Sequence, residues 1–168
     1  KAPVGPMPFV DTQRSSLSWS AMCADPVNKE ILLFGGCGVV TPDGSPGTWV
    51  YSTEKNEWRK LSGTNKFIEP PPRALSPMVY DPVTKKIILF GGDGLNQLYA
   101  DTWVYDCATR TWEEKKPAIS PSPRFAHALV YLPKSGKIVL MGGKGYTSSV
   151  SYCAVLYKAL PFEMWTFD

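Results

Sequence analysis

Two arginines and a histidine are the residues whose type and spacing could do chemistry. Arg73 and Arg124 each follow a proline-rich stretch, EPPPR and SPSPR, and each opens an apolar run. A guanidinium fork suits a carboxylate or phosphate, because its planar donors match two oxygens at once. His127, the only histidine, lies three residues after Arg124. One imidazole can act as a general base or supply one metal ligand, but a metal site needs several ligands converging. Structural readings stand beside these: the arginines can tie down the segments that carry them, and the histidine can be a satisfied side chain. Leu17 occupies the place of a third arginine, and Ser20 and Ser76 occupy the place of His127.

Other chemistry is sparse. GxSxG, the phosphate-binding loop, HExxH and CxxC are all missing, so no catalytic constellation is complete, and no cofactor or metal is expected. Glu113 and Glu114 are neighbours on a predicted strand and point to opposite faces, so they cannot cooperate as acid and base. Asp25 and Asp81 precede prolines in turns, where a carboxylate bonds to nearby amides; Asp101, before Thr102 and Trp103, is expected to order its loop in the same way. A net charge of +3, with the basic residues scattered, argues against a nucleic-acid partner. No apolar run is long enough to span a membrane, and no signal peptide is visible. The 4 cysteines form no obvious framework: Cys23 stands where Val79 and Val130 stand, Cys37 and Cys153 fall in long loops, and Cys107 falls in a turn.

The elements that carry these residues repeat. KEILLFGG, KKIILFGG and GKIVLMGG end in Gly35 and Gly36, Gly91 and Gly92, and Gly142 and Gly143. They are followed by TWVY, TWVY and MWTF, then, in the first two units, by a strand with a lone tryptophan. The period is about fifty residues, that of one four-stranded sheet per unit. Units are expected at 17–61, 73–116 and 124–168, the last incomplete. Tyr51 and Tyr105 match one another, with Phe167 third; Trp58 and Trp112 match, with no third member. Paired glycines permit backbone geometry and close approach that a Cβ would block. The tryptophans at positions 49, 58, 103, 112 and 165 are large enough to fill the wedge between diverging sheets.

Double glycine after an apolar strand, then tyrosine, then tryptophan, three times in order, resembles the kelch repeat, and the resemblance covers almost the whole chain. It implies an all-β fold, a kelch-type β-propeller of which about three four-stranded antiparallel blades are present. Since closed propellers have four to eight blades, a six- or seven-bladed ring is expected, completed by further blades of the same chain or by a second copy. Lys1 reads as starting after a missing fourth strand, and Asp168 as stopping before one. Kelch propellers include copper radical oxidases of the galactose oxidase type, whose site needs two histidines, and one histidine cannot supply it. The resemblance to tandem-kelch bacterial proteins leans towards an extracytoplasmic location.

In such a meander the turns between strands one and two and three and four share one end, and here they are short. The loops from Cys37 to Gly47, Asp93 to Asp101 and Lys144 to Glu163 share the other with the crossings between units, and they vary in length and composition. Variable loops on a rigid scaffold are where recognition is usually placed. The third is the longest; Val150, Cys153, Ala154, Tyr157 and Leu160 recur at helical spacing within it, which predicts a short amphipathic helix. Tyr146, Tyr152, Tyr157 and Phe162, with Tyr99 from the second loop, form a candidate contact patch. The functional expectation is a binding or assembly module that engages a protein partner through this face. The alternative is a carbohydrate-binding or enzymatic propeller with its pocket at the channel mouth, formed by Arg73, Arg124 and His127.

Overall fold

Strand-forming runs bounded by tight turns dictate the architecture. The computed structural model describes residues 19–36, 47–61, 68–94, 97–151, 154–160 and 163–167. The first sheet is an antiparallel meander of β1 (Ala21–Asp25), β2 (Glu30–Phe34), β3 (Thr48–Ser52) and β4 (Glu57–Lys60). The second repeats it with β5 (Met78–Asp81), β6 (Lys86–Asp93), β7 (Leu98–Asp106) and β8 (Thr111–Lys115). The third contains β9 (Ala128–Leu132), β10 (Lys137–Met141) and, after an inserted hairpin, β13 (Met164–Phe167). The chain is therefore all-β among the described residues.

Register is the same in each sheet. Ile31 lies opposite Tyr51, Ile87 opposite Tyr105, and Ile138 opposite Phe167. Tyr51 and Tyr105 in turn face Trp58 and Trp112, with ring centroids 5.1 and 5.2 Å apart. Turns set this register. In the Asp25 turn the carboxylate accepts the amide hydrogens of Val27 and Asn28, and Asp81 accepts that of Val83, as their sequence context predicts.

The sheets stack face to face, and their first strands converge: β1 lies beside β5, and β5 beside β9. Between the first two sheets, Leu32, Phe34 and Val50 are buried with Ile87, Leu89, Trp103, Tyr105 and Trp112. Each large aromatic contributes on the order of 150 to 250 Å² of burial, which explains why tryptophan sits where adjoining sheets diverge. Trp49, Trp103 and Trp112 are buried, whereas Trp58 and Trp165 are only half-buried. Buried Cys107 adds a polar link, since its carbonyl accepts Asn28 Nδ2 from the first sheet at 2.7 Å. Burial pushes the Cys23 thiol up to about 11 and the Cys107 thiol up to about 12, so neither is a thiolate near neutral pH.

The insertion corrects one expectation. The helix predicted over Val150 to Leu160 is instead a hairpin of β11 (Lys144–Ser151) and β12 (Ala154–Ala159), with an irregularity between Tyr146 and Val150. Valine, serine, threonine and tyrosine dominate this segment, and antiparallel pairing of β11 with β12 satisfies their backbone groups while suiting their β-branched and aromatic side chains.

Candidate functional site

At the end of the sheets that carries the longer loops, the repeated double glycines meet the arginines. Gly35 and Gly91 have φ of 72° and 61°, in the left-handed region that a side chain disfavours. A Cβ on Gly91 would come within 2.6 Å of the Arg124 carbonyl oxygen, and one on Gly35 would collide with that of Arg73. Glycine lets the next unit's crossing segment lie directly on the strand end. Gly36 then donates its amide to the Arg73 carbonyl, and Gly92 donates to the Arg124 carbonyl, both at 2.9 Å.

The arginine side chains turn the other way, into their own units. Arg73 Nη1 donates to the Gly91 carbonyl at 3.0 Å, and the guanidinium grips Asp101 through two bonds of 2.5 and 2.8 Å. Arg124 Nη1 donates to the Gly142 carbonyl at 3.0 Å, and Nη2 donates to Glu163 Oε2 at 2.8 Å. A tryptophan completes each set: Trp103 Nε1 donates to Asp101 Oδ2 at 2.8 Å, and Trp165 Nε1 to Glu163 Oε2 at 3.0 Å. The Trp165 and Arg124 hydrogen bonds hold the Glu163 carboxyl below the usual carboxylate range. Each arginine thus links the preceding unit's second glycine, its own unit's first glycine and an acid.

Both guanidinium groups are fully buried and internally bonded. Asp101 therefore differs from its expected role: it holds Arg73 and Trp103 rather than capping loop amides. The first unit has Leu17 and Gly47 where the second has Arg73 and Asp101, so the charged members are absent together. An acid two residues before a tryptophan, in Asp101-Thr102-Trp103 and Glu163-Met164-Trp165, was the available signal. Its separation from the arginine, 28 residues in one unit and 39 in the next, conceals it in the sequence.

His127 is 93 per cent buried, its ring edge-on to Phe90 at 5.6 Å. Neither ring nitrogen has a hydrogen-bond partner of acceptable geometry among the described residues, although the Phe90 backbone is near enough to favour the protonated form slightly. Burial, then the charge of Arg124, lowers its pKa to about 4, so it is neutral near pH 7. It lines an open groove of about 310 Å³ with Ser20 and Ser76, the residues at its matching positions. Hydrogen bonds from Leu75 N to Trp19 O and from Ala126 N to Leu75 O, both 2.9 Å, step along that groove from unit to unit. No group of three or more potential metal ligands occurs among the described residues.

The remaining candidates lie on the loop side. Tyr99 is half-buried under Arg73, whose Cζ sits 3.8 Å from the ring centroid. Tyr146, on β11, donates its hydroxyl to Asp93 Oδ1 at 2.5 Å and packs near Phe125 at 6.1 Å. Backbone bridges join Phe125 to Lys144 and Ala74 to Asp93. Each bridge stays within its own unit; the Tyr146 bond to Asp93 fastens the hairpin of the third unit to the loop end of the second. Tyr157 lies on β12 opposite Tyr146. Tyr152 and Phe162 lie outside the described residues.

Radially converging four-stranded meanders, sealed by glycine and aromatic positions at a fixed period, define a β-propeller of the kelch class. The KLHDC2/KLHL20/DRC7 Kelch-repeats domain matches residues 7–167, and the chain belongs to this kelch-repeat family. It is also similar to the proteins named multiple epidermal growth factor-like domains protein 8 from Mus musculus and Homo sapiens, at 36% identity over 58 residues in each case. That match takes in 34% of this chain and 2% of either relative, so the shared segment is a small part of those proteins.

Proposed function

We propose that this kelch propeller segment binds a protein partner through the face carrying its long loops, with the β11–β12 hairpin as the principal contact. The observation that carries the reading is the fastening of this insertion to the neighbouring unit through Tyr146 and Asp93. An extended hairpin held at its base presents a defined surface with less ordering cost on binding than a free loop. The rigid sheets beneath supply the scaffold, and the variable loops above supply selectivity. Arg73 and Arg124 support the face from inside, as fixed internal cations, rather than offering a guanidinium to a ligand.

A photo-crosslinking residue placed singly at Gln97 or Lys144, on the loop face, and at Val83 or Lys134, on the short-turn face, tests the reading in cells. Discrete protein adducts from the first pair and none from the second are expected. Adducts confined to the short-turn pair would overturn it.

A further inference from the structure

Among the described residues three serines precede a proline: Ser76, Ser120 and Ser122. Their surroundings differ. Ser76 is buried. Ser120 is half-buried, and its Oγ donates to the Ala100 carbonyl at 3.1 Å. Ser122 alone is exposed, on a crossing that Pro121 and Pro123 keep out of helical geometry.

Ser122 also sits against a buried cation. Arg124 Nη2 donates to its Oγ at 2.9 Å, and Arg124 Nε donates to its carbonyl at 3.0 Å. A guanidinium can only donate, so the hydroxyl oxygen is the acceptor, and no acceptor among the described residues takes its own hydrogen. The second unit has no such pair, because Pro71 holds the matching place and offers Arg73 only a carbonyl. There Asp101 takes the arginine fork with both oxygens, whereas Glu163 reaches Arg124 through Oε2 alone and shares that oxygen with Trp165. Arg124 Nη2 is thus divided between an acid and an exposed hydroxyl.

Glu163 stands where the inserted hairpin returns to its sheet: β12 ends at Ala159, and β13 starts at Met164. Its bond to Arg124 pins that return limb to the crossing. A phosphoryl group carries about −1.5 to −2 charge near neutral pH and three acceptor oxygens. On Ser122 Oγ it would stand beside Nη2, outcompete a singly charged carboxylate for that donor, and repel Glu163.

We propose that Ser122 is a phosphorylation site, and that its phosphoryl group releases the return limb of the hairpin by taking Arg124 Nη2 from Glu163. In the transfer, Ser122 Oγ attacks the γ-phosphorus of a nucleoside triphosphate held by a protein kinase. The Oγ–P bond forms, the bond from that phosphorus to the β,γ-bridging oxygen breaks, the nucleoside diphosphate leaves, and the seryl proton passes to the base of the kinase. Hydrolysis of the Oγ–P bond by a phosphatase gives back serine and inorganic phosphate and restores the Arg124–Glu163 bond. The consequence for partner binding rests on the hairpin contact proposed above, so the test reads the modification and the hairpin without a partner.

The 168-residue chain is incubated with magnesium ATP and a serine/threonine kinase that accepts proline after its target residue, and peptide mass mapping locates the phosphoryl group. Ser122 should be labelled, while Ser76 and Ser120 stay unlabelled. Amide exchange in β13 should then accelerate about ten-fold or more, as expected when a charge-assisted bond is lost, while exchange in β2 and β6 stays unchanged. Ser122→Ala, which keeps the Arg124–Glu163 bond, should leave β13 exchange slow after the same treatment. A chain with phosphoserine installed at position 122 during synthesis reads the release independently of any kinase. No phosphoryl group on Ser122, or labelling of Ser76 or Ser120 in its place, would overturn the site. Unchanged β13 exchange in the phosphoserine chain would overturn the release.

Discussion

Arg73 and Asp101 form a two-pronged ion pair in which the arginine side chain is completely buried and the carboxylate keeps 19% of its surface. The same guanidinium bonds the Gly91 carbonyl, so its charge is compensated inside the sheet that it supports. Removing one partner strands the other. Arg73→Leu should destabilise the chain by about 3 to 5 kcal/mol, the range for breaking a buried pair. The double change Arg73→Leu with Asp101→Gly, the pattern of the first unit, should cost less than the sum of its parts. Urea unfolding of the four species in a double-mutant cycle measures the difference.

Glycine substitutions separate close approach from backbone strain. Gly91 and Gly136 have similar φ, 61° and 69°, but a Cβ on Gly91 meets the Arg124 carbonyl at 2.6 Å while one on Gly136 meets nothing within 4 Å. Gly136→Ala should cost only the left-handed penalty of about 1 to 2 kcal/mol. Gly91→Ala should cost more, because the crossing that carries Arg124 must move. Comparison of unfolding midpoints decides whether the double glycine is kept for conformation alone.

Neutral, buried His127 predicts a pH dependence. Its pKa falls from 6.5 to about 4 on folding, so the unfolded chain binds the additional proton between those values. Stability is therefore fully present above about pH 6.5 and declines as pH falls towards 4, by an upper limit of about 3 kcal/mol. His127→Gln should remove this component of the slope. Unfolding free energies at pH 7, 5.5 and 4.5 for both chains test it.

Tyr146 links the hairpin to the second unit through its hydroxyl. Tyr146→Phe keeps the ring beside Phe125 and loses one charge-assisted hydrogen bond, about 1.5 to 3 kcal/mol. Amide exchange in β11 and β12 should accelerate, while exchange in β2 and β6 should stay unchanged. Equal acceleration throughout would mean that the bond serves the whole fold rather than the hairpin.

The repeats were legible because their cause is local. A strand ending in Gly35-Gly36 or Gly91-Gly92, followed by an aromatic at a constant offset, carries both register and sheet order in its spacing. The hairpin was misread because Val150, Cys153, Ala154, Tyr157 and Leu160 fit a helical period, while β-pairing depends on partners that a period does not reveal. Asp101 and Glu163 were hidden for a related reason. Their arginines lie 28 and 39 residues away, and only the folded crossings bring the charges together.

The most direct measurement is the affinity of the crosslinked protein for two chains, one intact and one with 144–159 replaced by the short connection 94–97 of the second unit. Binding through the long-loop face predicts at least about a hundred-fold loss in a chain that still unfolds in one cooperative transition. Unchanged affinity in a chain that unfolds normally would contradict it.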